Sequence, residues 1–337
     1  MNKSVSLMEV DLAEAPEVVA RQSEMLAKPL AELVTRLRNG PPNVVVTCAR
    51  GSSAHAANFG KYLIERHLGV PVAPFAPSLA SVYRRSLQLK NQLFLTISQS
   101  GQSEDLVEAA SWAKTSGALT VAIVNDVASP LASVCDTVLP MTAGQELSVA
   151  ATKTFIASST ALFGLTASWV ADQKMKVALD HLPERLAMAS QLNWSRAADA
   201  LVGIDNLAIL GRGPTLAIAH EAALKLKEVC NIQAEAFSGA EFQHGPIALV
   251  SKGYPVLVFM PTDEAALHLS DVVAELYGKT DSLFTTGSML PTLAPDHPDT
   301  DALCLIQSLY VLAVRLAELR GLNADRPRHL EKVTITR

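Results

Sequence analysis

Residues 92–103, QLFLTISQSGQS, join a mostly apolar run to a burst of hydroxyl and amide side chains. The run 93–97 predicts a buried strand, and residues 103–115 predict a helix. A polar turn between a strand and a helix is often ordinary helix capping. Five polar residues within 98–103 exceed what a cap needs. A cradle for an anion at a helix N-terminus is the alternative interpretation.

The same alternation of strand and helix recurs along the chain. Strands are predicted at 44–47, 93–97, 120–124, 206–210 and 255–260. Helices are predicted at 52–66, 103–115, after 129, through 150–196, and at 214–229, 265–277 and 301–319. Strands that alternate with helices indicate βαβ units and a parallel sheet. The predicted fold class is therefore α/β, a three-layer αβα protein with two doubly wound parallel sheets.

A faint internal repeat supports two similar units in tandem. A shift of 162 residues places Arg50 on Arg212 and the segment 72–75 on 234–237, with strands and turns in register. The predicted boundaries are an N-terminal helical segment at 1–40, a first domain with its helical connection at 41–196, a second domain at 197–320 and a tail at 321–337.

Composition excludes several classes of protein. The 337 residues are 49% hydrophobic and 18% charged, which predicts a packed core. A net charge of -5 argues against a nucleic-acid surface. Four scattered cysteines form no CxxC pair, so no metal or disulfide framework is expected. The N-terminus lacks signal-peptide features and the apolar stretch 154–171 is interpreted as a core helix, so no membrane partner and a cytoplasmic location are expected.

Three predicted strand ends carry small polar or glycine-containing turns. They are Arg50-Gly51-Ser52-Ser53, the segment 98–103, and Gly211-Arg212-Gly213-Pro214. Ligands of open parallel sheets bind beyond the carboxyl ends of strands, and helix N-termini offer N–H donors there. Capping is the favoured interpretation of 51–53 alone, whereas capping and anion binding are balanced for 98–103. Neither GxGxxG nor GxxxxGK[ST] occurs, which disfavours dinucleotide and P-loop sites.

Glu221, Lys225 and Glu228 share one face of a predicted helix, because they are spaced i, i+4, i+7. A carboxylate–ammonium–carboxylate row among apolar neighbours suits proton transfer. A solvated salt-bridge ladder is the more common arrangement and is favoured for this feature alone. His244 precedes Gly-Pro on a rigid turn and is either structural or a general acid/base. For Lys332 an ordinary terminal lysine is the favoured interpretation, and a Schiff-base amine is the alternative if the lysine is desolvated.

Six motifs in order carry a family resemblance: GSS at 51–53, SQSG at 98–101, VAATKTF at 149–155, EAALKLKE at 221–228, AEFQHGP at 240–246 and PRHLEKVT at 327–334. The chain resembles the double sugar isomerase (SIS) family, in particular the isomerase domain of glucosamine-6-phosphate synthases and the stand-alone SIS-type glucosamine-6-phosphate deaminases. The resemblance implies tandem SIS domains, a hexose-6-phosphate or aminosugar-6-phosphate substrate, a homodimer with a shared active site, and no cofactor or metal.

The resemblance also implies residue roles. The 6-phosphate would be held by Ser52, Ser53, Ser98, Gln99, Ser100 and Ser103, with Val149 contacting the sugar through its backbone. Glu228 would move a proton between C1 and C2. His244, from a neighbouring subunit, would assist ring opening, and Lys332 would face the carbonyl from a tail that closes the site. Glu221 and Lys225 would line the same site.

Departures from the synthase pattern direct the choice of activity. Synthases carry an N-terminal glutamine amidotransferase domain, for which residues 1–43 leave no room. The expected activity is therefore a deaminase/isomerase that converts glucosamine-6-phosphate into fructose-6-phosphate and ammonia. Arg50, Ala151 and Glu331 replace Cys, Ser and Ala of the synthase pattern, and Arg50 could pair with the phosphate. A fructosamine-6-phosphate deglycase and a non-catalytic phosphosugar sensor remain the alternatives.

Overall fold

The computed structural model describes residues 5–85 and 87–332. Residues 1–4 of the predicted N-terminal segment, residue 86, and residues 333–337 of the predicted tail lie outside the described residues. The helices are α1 Leu7–Asn39, α2 Gly51–Leu68, α3 Ser78–Ser81, α4 Glu104–Thr115, α5 Pro130–Val134, α6 Lys153–Val170, α7 Gln173–Ala189, α8 Ser195–Leu201, α9 Pro214–Cys230, α10 Gly239–Gln243, α11 Ala265–Tyr277 and α12 Pro298–Leu319. The strands are β1 Val45–Cys48, β2 Val72–Pro74, β3 Leu93–Ser98, β4 Leu119–Val124, β5 Thr137–Pro140, β6 Asn206–Gly211, β7 Gln233–Ser238, β8 Val256–Val258 and β9 Leu283–Thr285.

The strands form two parallel sheets. The first has the order β2-β1-β3-β4-β5 and the second has the order β7-β6-β8-β9. Every pairing between neighbouring strands is parallel. In each sheet the chain begins at an inner strand and moves first to one side and then to the other. This is the doubly wound α/β arrangement predicted from the sequence.

Both faces of the first sheet are covered, which explains why its strands are continuous apolar runs. All six residues of β3 are buried, so alternate side chains on both faces lie in apolar surroundings. Phe94 packs on one face with Val46, Ala122 and Leu106 of α4. Parallel strands covered on both faces show continuous apolar runs instead of alternation, and residues 93–97 are such a run.

The internal repeat is confirmed by the two sheet orders. The 162-residue shift carries β1, β2, β3 and β4 onto β6, β7, β8 and β9, which occupy the same places in their sheet. The shift places residues 98–103 on 260–265, where the sequence reads MPTDEA. The second copy of the repeat therefore keeps the strand, turn and helix but lacks the run of serine hydroxyls.

The chain divides into two compact units that are not contiguous in sequence. Unit 1 contains Met1–Pro16, Leu147–Thr152 and His181–Leu330, and holds the second sheet. Unit 2 contains Glu17–Glu146, Lys153–Asp180 and Glu331–Arg337, and holds the first sheet. The strands of the two sheets fall within the predicted ranges 41–196 and 197–320.

Two long apolar helices are core helices. α6 is almost entirely buried, as predicted for residues 154–171. α12 is long and apolar enough to cross a membrane by length and composition, but 78% of its apolar window is buried inside the protein. α12 packs against α9, so its apolar surface is covered within unit 1.

Candidate functional site

The turns after β1 and β3 lie at the topological switch point of the first sheet. β1 and β3 are adjacent, with Cys48 paired to Thr96 at their carboxyl ends. The chain leaves β1 toward β2 and leaves β3 toward β4, and at such a switch point open α/β sheets form a binding crevice between the two turns. The structure therefore brings the predicted phosphate residues Ser52, Ser53, Ser98, Gln99, Ser100 and Ser103 to one edge of unit 2.

Internal hydrogen bonds hold the second turn in a defined shape. Ser98 is buried, and its Oγ accepts from the Gly101 N–H at 3.1 Å. The Gln99 carbonyl accepts from the Asn125 N–H at 3.2 Å. The Ser100 Oγ accepts from the Gln102 N–H at 3.3 Å. A turn fixed by its own backbone and hydroxyl groups is preorganised for a ligand.

Ser103 does not act as a conventional cap. It occupies the N-cap position of α4 in extended conformation, yet its side chain makes no capping hydrogen bond to the helix. The first turn of α4 carries Glu104 and Asp105, and the Asp105 carboxylate accepts from the Leu106 N–H at 2.9 Å. α2 begins at the neighbouring strand end. Side-chain capping therefore does not account for the Ser103 hydroxyl, and anion binding at this turn stays a prediction.

Arg50 links the two turns of this crevice. Its Nε donates to Asp105 Oδ2 at 2.7 Å, and a second guanidinium nitrogen contacts the same oxygen. Asp105 lies in the first turn of α4 with only 1% of its side chain exposed, whereas the Arg50 side chain is 45% exposed. The guanidinium neutralises a carboxylate that would otherwise repel an anion at this helix terminus.

The charged row on α9 is not a solvated ladder. Glu221 and Lys225 are fully buried, and Lys225 Nζ lies 3.6 Å from Glu221 Oε1. Lys225 Nζ also contacts Glu228 Oε2, and the Glu228 side chain is 20% exposed. The favoured expectation from the sequence is wrong here, because spacing alone does not reveal that α12 covers this face of α9. Glu228 is the member of the row that solvent or a substrate can reach.

Tyr310 extends the row into the core of unit 1. Its hydroxyl lies on α12 and donates to Glu221 Oε1 at 3.3 Å. The tyrosine is fully buried, so its hydroxyl needs a partner there. The sequence gives no signal for this contact, because Tyr310 sits in a long apolar helix far along the chain from Glu221.

His244 lies in an exposed turn of unit 1. It follows α10, and its N–H donates to the Glu241 carbonyl at 3.1 Å. Gly245 takes a φ of 151° and Pro246 begins a short 3₁₀ helix, Pro246–Leu249. The predicted rigid turn is therefore present, and the imidazole is exposed on the single chain.

The segment that carries Val149 is held by Asp11. This buried carboxylate accepts from the Leu147 N–H at 2.9 Å and from the Ser148 N–H at 2.7 Å. Val149 is partly buried and follows directly. Asp11 comes from the N-terminal helix of unit 1, and its role was not predicted, because a single acidic residue in an amphipathic helix carries no motif.

Lys332 has a buried partner in unit 2. Its Nζ donates to Glu146 Oε2 at 2.7 Å, and the Glu146 side chain is fully buried. The interpretation of Lys332 as an ordinary terminal lysine therefore does not describe its surroundings. Sequence reasoning missed Glu146, which lies 186 residues from Lys332 and belongs to no recognised spacing pattern.

The predicted site residues are thus divided between the two units. Unit 2 holds the phosphate turns, Arg50 and Lys332; unit 1 holds Glu221, Lys225, Glu228, His244 and Val149. Among residues 5–85 and 87–332, no group of three or more histidine, cysteine or acidic side chains is arranged to hold a metal ion.

These features define a class of protein: a tandem doubly wound α/β protein with a small-residue polar crevice at a switch point. A model of the SIS domain family matches residues 42–166 and 200–277. The chain belongs to the SIS domain family, which contains phosphosugar isomerases.

Named relatives share this organisation. A glutamine–fructose-6-phosphate aminotransferase (isomerizing) from Symbiobacterium thermophilum is 34% identical over 314 residues, covering 86% of this chain and 51% of the relative. The chain spans about half the length of the curated relatives it matches. A candidate phosphosugar isomerase from Silicibacter pomeroyi superposes with a TM-score of 0.90 at 41% identity, covering 95% of this chain and all of that one. A glucosamine-6-phosphate deaminase from Thermotoga maritima superposes with a TM-score of 0.74 at 23% identity over 96% of this chain and all of that one, which shows the shared fold.

Proposed function

We propose that the protein is an aminosugar-phosphate deaminase/isomerase that converts glucosamine-6-phosphate and water into fructose-6-phosphate and ammonia. The observation that carries this proposal is the buried Glu221–Lys225 pair with Glu228 at its exposed end. The contact with Lys225 gives the reachable Glu228 carboxylate a fixed orientation, which proton transfer to or from a substrate requires.

The crevice of unit 2 supports a phosphorylated substrate. Its serine hydroxyls, backbone N–H groups and two helix N-termini are donors that suit a phosphate dianion. We assign Ser52, Ser53, Ser98, Gln99, Ser100 and Ser103 to the 6-phosphate. Binding energy from this remote group orients the sugar for reaction at C1 and C2.

The proposed chemistry proceeds by ring opening, proton transfer and hydrolysis. His244 exchanges a proton with the ring oxygen, and the open chain exposes the C1 carbonyl that Lys332 faces. Glu228 takes the proton from C2 and returns it to C1, while O1 gains a proton and the C2 amine loses one, so the 2-amino aldose becomes the 2-imine of the ketose with a C1 hydroxyl. Water adds to C2 and ammonia leaves, giving fructose-6-phosphate. Lys225, itself paired with Glu221, keeps the Glu228 carboxylate oriented between turnovers.

We extend the proposal to a cytoplasmic homodimer in which His244 acts on the site of the neighbouring subunit. The exposure of His244 on the single chain supports this arrangement. Mixing Glu228→Gln and His244→Ala subunits tests it, because hybrid dimers regain one complete site. Absence of any regained activity after subunit exchange, checked by mass spectrometry of the mixed dimers, would rule out a shared site.

The activity is tested by following ammonia and fructose-6-phosphate when purified protein meets glucosamine-6-phosphate without glutamine. We expect equal amounts of both products, a loss of about 10³-fold or more in kcat for Glu228→Gln, and an unchanged rate for Glu184→Gln on the exposed side of α7. Binding without turnover would contradict the proposal and favour a sensor. Turnover of a fructosamine-6-phosphate instead would favour a deglycase.

A further inference from the structure

Glu146 is a buried carboxylate that accepts three hydrogen bonds from two residues. Its Oε1 accepts from the Thr154 N–H at 3.2 Å. Its Oε2 accepts from the Thr154 hydroxyl at 2.8 Å and from Lys332 Nζ at 2.7 Å. All three residues belong to unit 2, and Thr154 lies in the first turn of α6.

Two positive features compensate the burial of this charge. The N-terminus of α6 contributes its N–H groups and the positive end of its dipole. The Lys332 ammonium contributes a charge-assisted hydrogen bond. Because Thr154 belongs to a buried helix, it fixes the plane of the carboxylate. The direction in which Oε2 meets Lys332 Nζ is therefore set by the helix and not by the tail.

The lysine itself comes from irregular chain. Residues 327–332 contain no helix or strand, and the Lys332 side chain is 28% exposed. A lysine on such a segment would otherwise sample many rotamers, and ordering it at the moment of reaction would slow the reaction. The bond to Glu146 orders the amine before substrate arrives.

We propose that Glu146 is the positioning residue for Lys332 and the acceptor of its proton. When Lys332 faces the sugar carbonyl as a neutral amine, its proton has moved within the pair: one N–H bond of the ammonium breaks and an O–H bond forms on Glu146 Oε2. The ion pair becomes a neutral amine beside a neutral acid, so the net charge of the pair is unchanged. This inference rests on the proposed function for the role of Lys332, but the contact itself does not.

The test combines a chemical readout with a kinetic one. Wild-type protein, Glu146→Gln and Thr154→Val are treated briefly with an amine-acylating reagent, and labelling of Lys332 is followed by peptide mass spectrometry. Lys28, whose side chain is 86% exposed, serves as the internal reference. Thr154→Val removes the hydroxyl that donates to Glu146 but keeps the carboxylate beside Lys332. It therefore reports how much of the effect comes from the orientation of the carboxylate.

We expect Glu146→Gln to raise the labelling of Lys332 relative to Lys28 by about 10-fold, because a hydrogen bond between charged groups is lost. We expect kcat to fall by about 10²-fold while KM for glucosamine-6-phosphate changes little, since the phosphate turns are intact. Thr154→Val loses the hydroxyl bond to Oε2 but keeps the Thr154 N–H bond to Oε1, so it should move both readouts in the same direction as Glu146→Gln and by a smaller factor. If Glu146→Gln does not fold, the labelling and the kinetics are measured on Glu146→Asp instead. This variant shortens the side chain by one methylene and so draws the carboxylate away from Lys332.

The outcomes separate this inference from the proposed function. Unchanged labelling of Lys332 in Glu146→Gln overturns the positioning role. Raised labelling with unchanged kcat shows a purely structural contact and also overturns it. Raised labelling in a protein whose wild type releases no ammonia rejects the proposed deaminase and retains Glu146 as the residue that holds Lys332.

Discussion

Gly101 and Ser129 approach each other so closely that only a glycine fits in the turn after β3. A Cβ atom built on Gly101 would lie 2.2 Å from Ser129 Oγ and 2.5 Å from Ser129 Cβ. Ser129 cannot withdraw easily, because it is buried and its Oγ accepts from the Ala132 N–H as the N-cap of α5. Gly101 also has a φ of 63°, in the left-handed region. The shape of the proposed phosphate turn therefore depends on α5.

Gly101→Ala should destabilise the protein more than Gly144→Ala. Both glycines have a φ near 65°, so both substitutions meet the left-handed penalty of about 1–2 kcal/mol. Only Gly101 has a neighbour within 4 Å of the built Cβ, which adds about 1–3 kcal/mol of overpacking. Urea unfolding of the two variants measures the difference. Equal midpoints would show that the turn shifts freely away from Ser129.

Arg50→Met should lower both stability and phosphate affinity. It leaves the Asp105 carboxylate without its guanidinium in a buried position. Removing one partner of a buried pair costs about 3–5 kcal/mol, and the half-exposed arginine reduces this to about 1–3 kcal/mol through solvent screening. An uncompensated carboxylate would also repel the phosphate.

The double variant Arg50→Met/Asp105→Asn supplies the control. It should recover part of both losses, because no buried charge is left unpaired. Guanidinium unfolding measures the free energy of unfolding of each variant. Titration calorimetry measures its affinity for fructose-6-phosphate. Strictly additive single and double variants would show that the pair is not coupled to the binding crevice.

The sequence predicted the elements that local pattern determines. The helix at 265–277 and the strands at 93–97 and 206–210 were found within one residue, because they are apolar runs or periodic helices bounded by turn residues. The strands β2, β5, β7 and β9 were not among the predicted strands. β2, β5 and β7 are partly exposed and lack an apolar run, and β9 is a buried run of only three residues. Their pairing with neighbours holds them in the sheet.

The candidate site was predictable in composition but not in contacts. The serine turn and the i, i+4, i+7 row are visible in the sequence, and the 162-residue repeat places the first of them at a strand end. The burial of Lys225 depends on α12, and the contact of Lys332 depends on Glu146 at a distant position. Such long-range contacts require the three-dimensional packing, so a single sequence favoured the wrong environment for both lysines.

Lys225→Met should be the most destabilising substitution in the charged row on α9. It leaves the buried Glu221 carboxylate without its ammonium, at a cost of about 3–5 kcal/mol. Tyr310→Phe removes a longer hydrogen bond to the same carboxylate and should cost about 1 kcal/mol. Glu228→Gln changes a partly exposed end of the row and should cost least. Thermal unfolding of the three variants tests this order, and a Glu228→Gln variant as unstable as Lys225→Met would contradict it.

The protein should lose stability as the pH rises above about 9. Burial raises the pKa of the Cys48, Cys135, Cys230 and Cys304 thiols from 9.0 to about 12. Between these values the unfolded chain releases thiol protons that the folded chain retains, so the free energy of unfolding falls with pH by up to about 1.4 kcal/mol per pH unit for each thiol. Below pH 9 the buried thiols make their full contribution to the free energy of unfolding. Urea unfolding at a series of pH values measures the slope, and Cys304→Ala should reduce it; an unchanged slope in that variant would show that its thiol titrates normally in the folded protein.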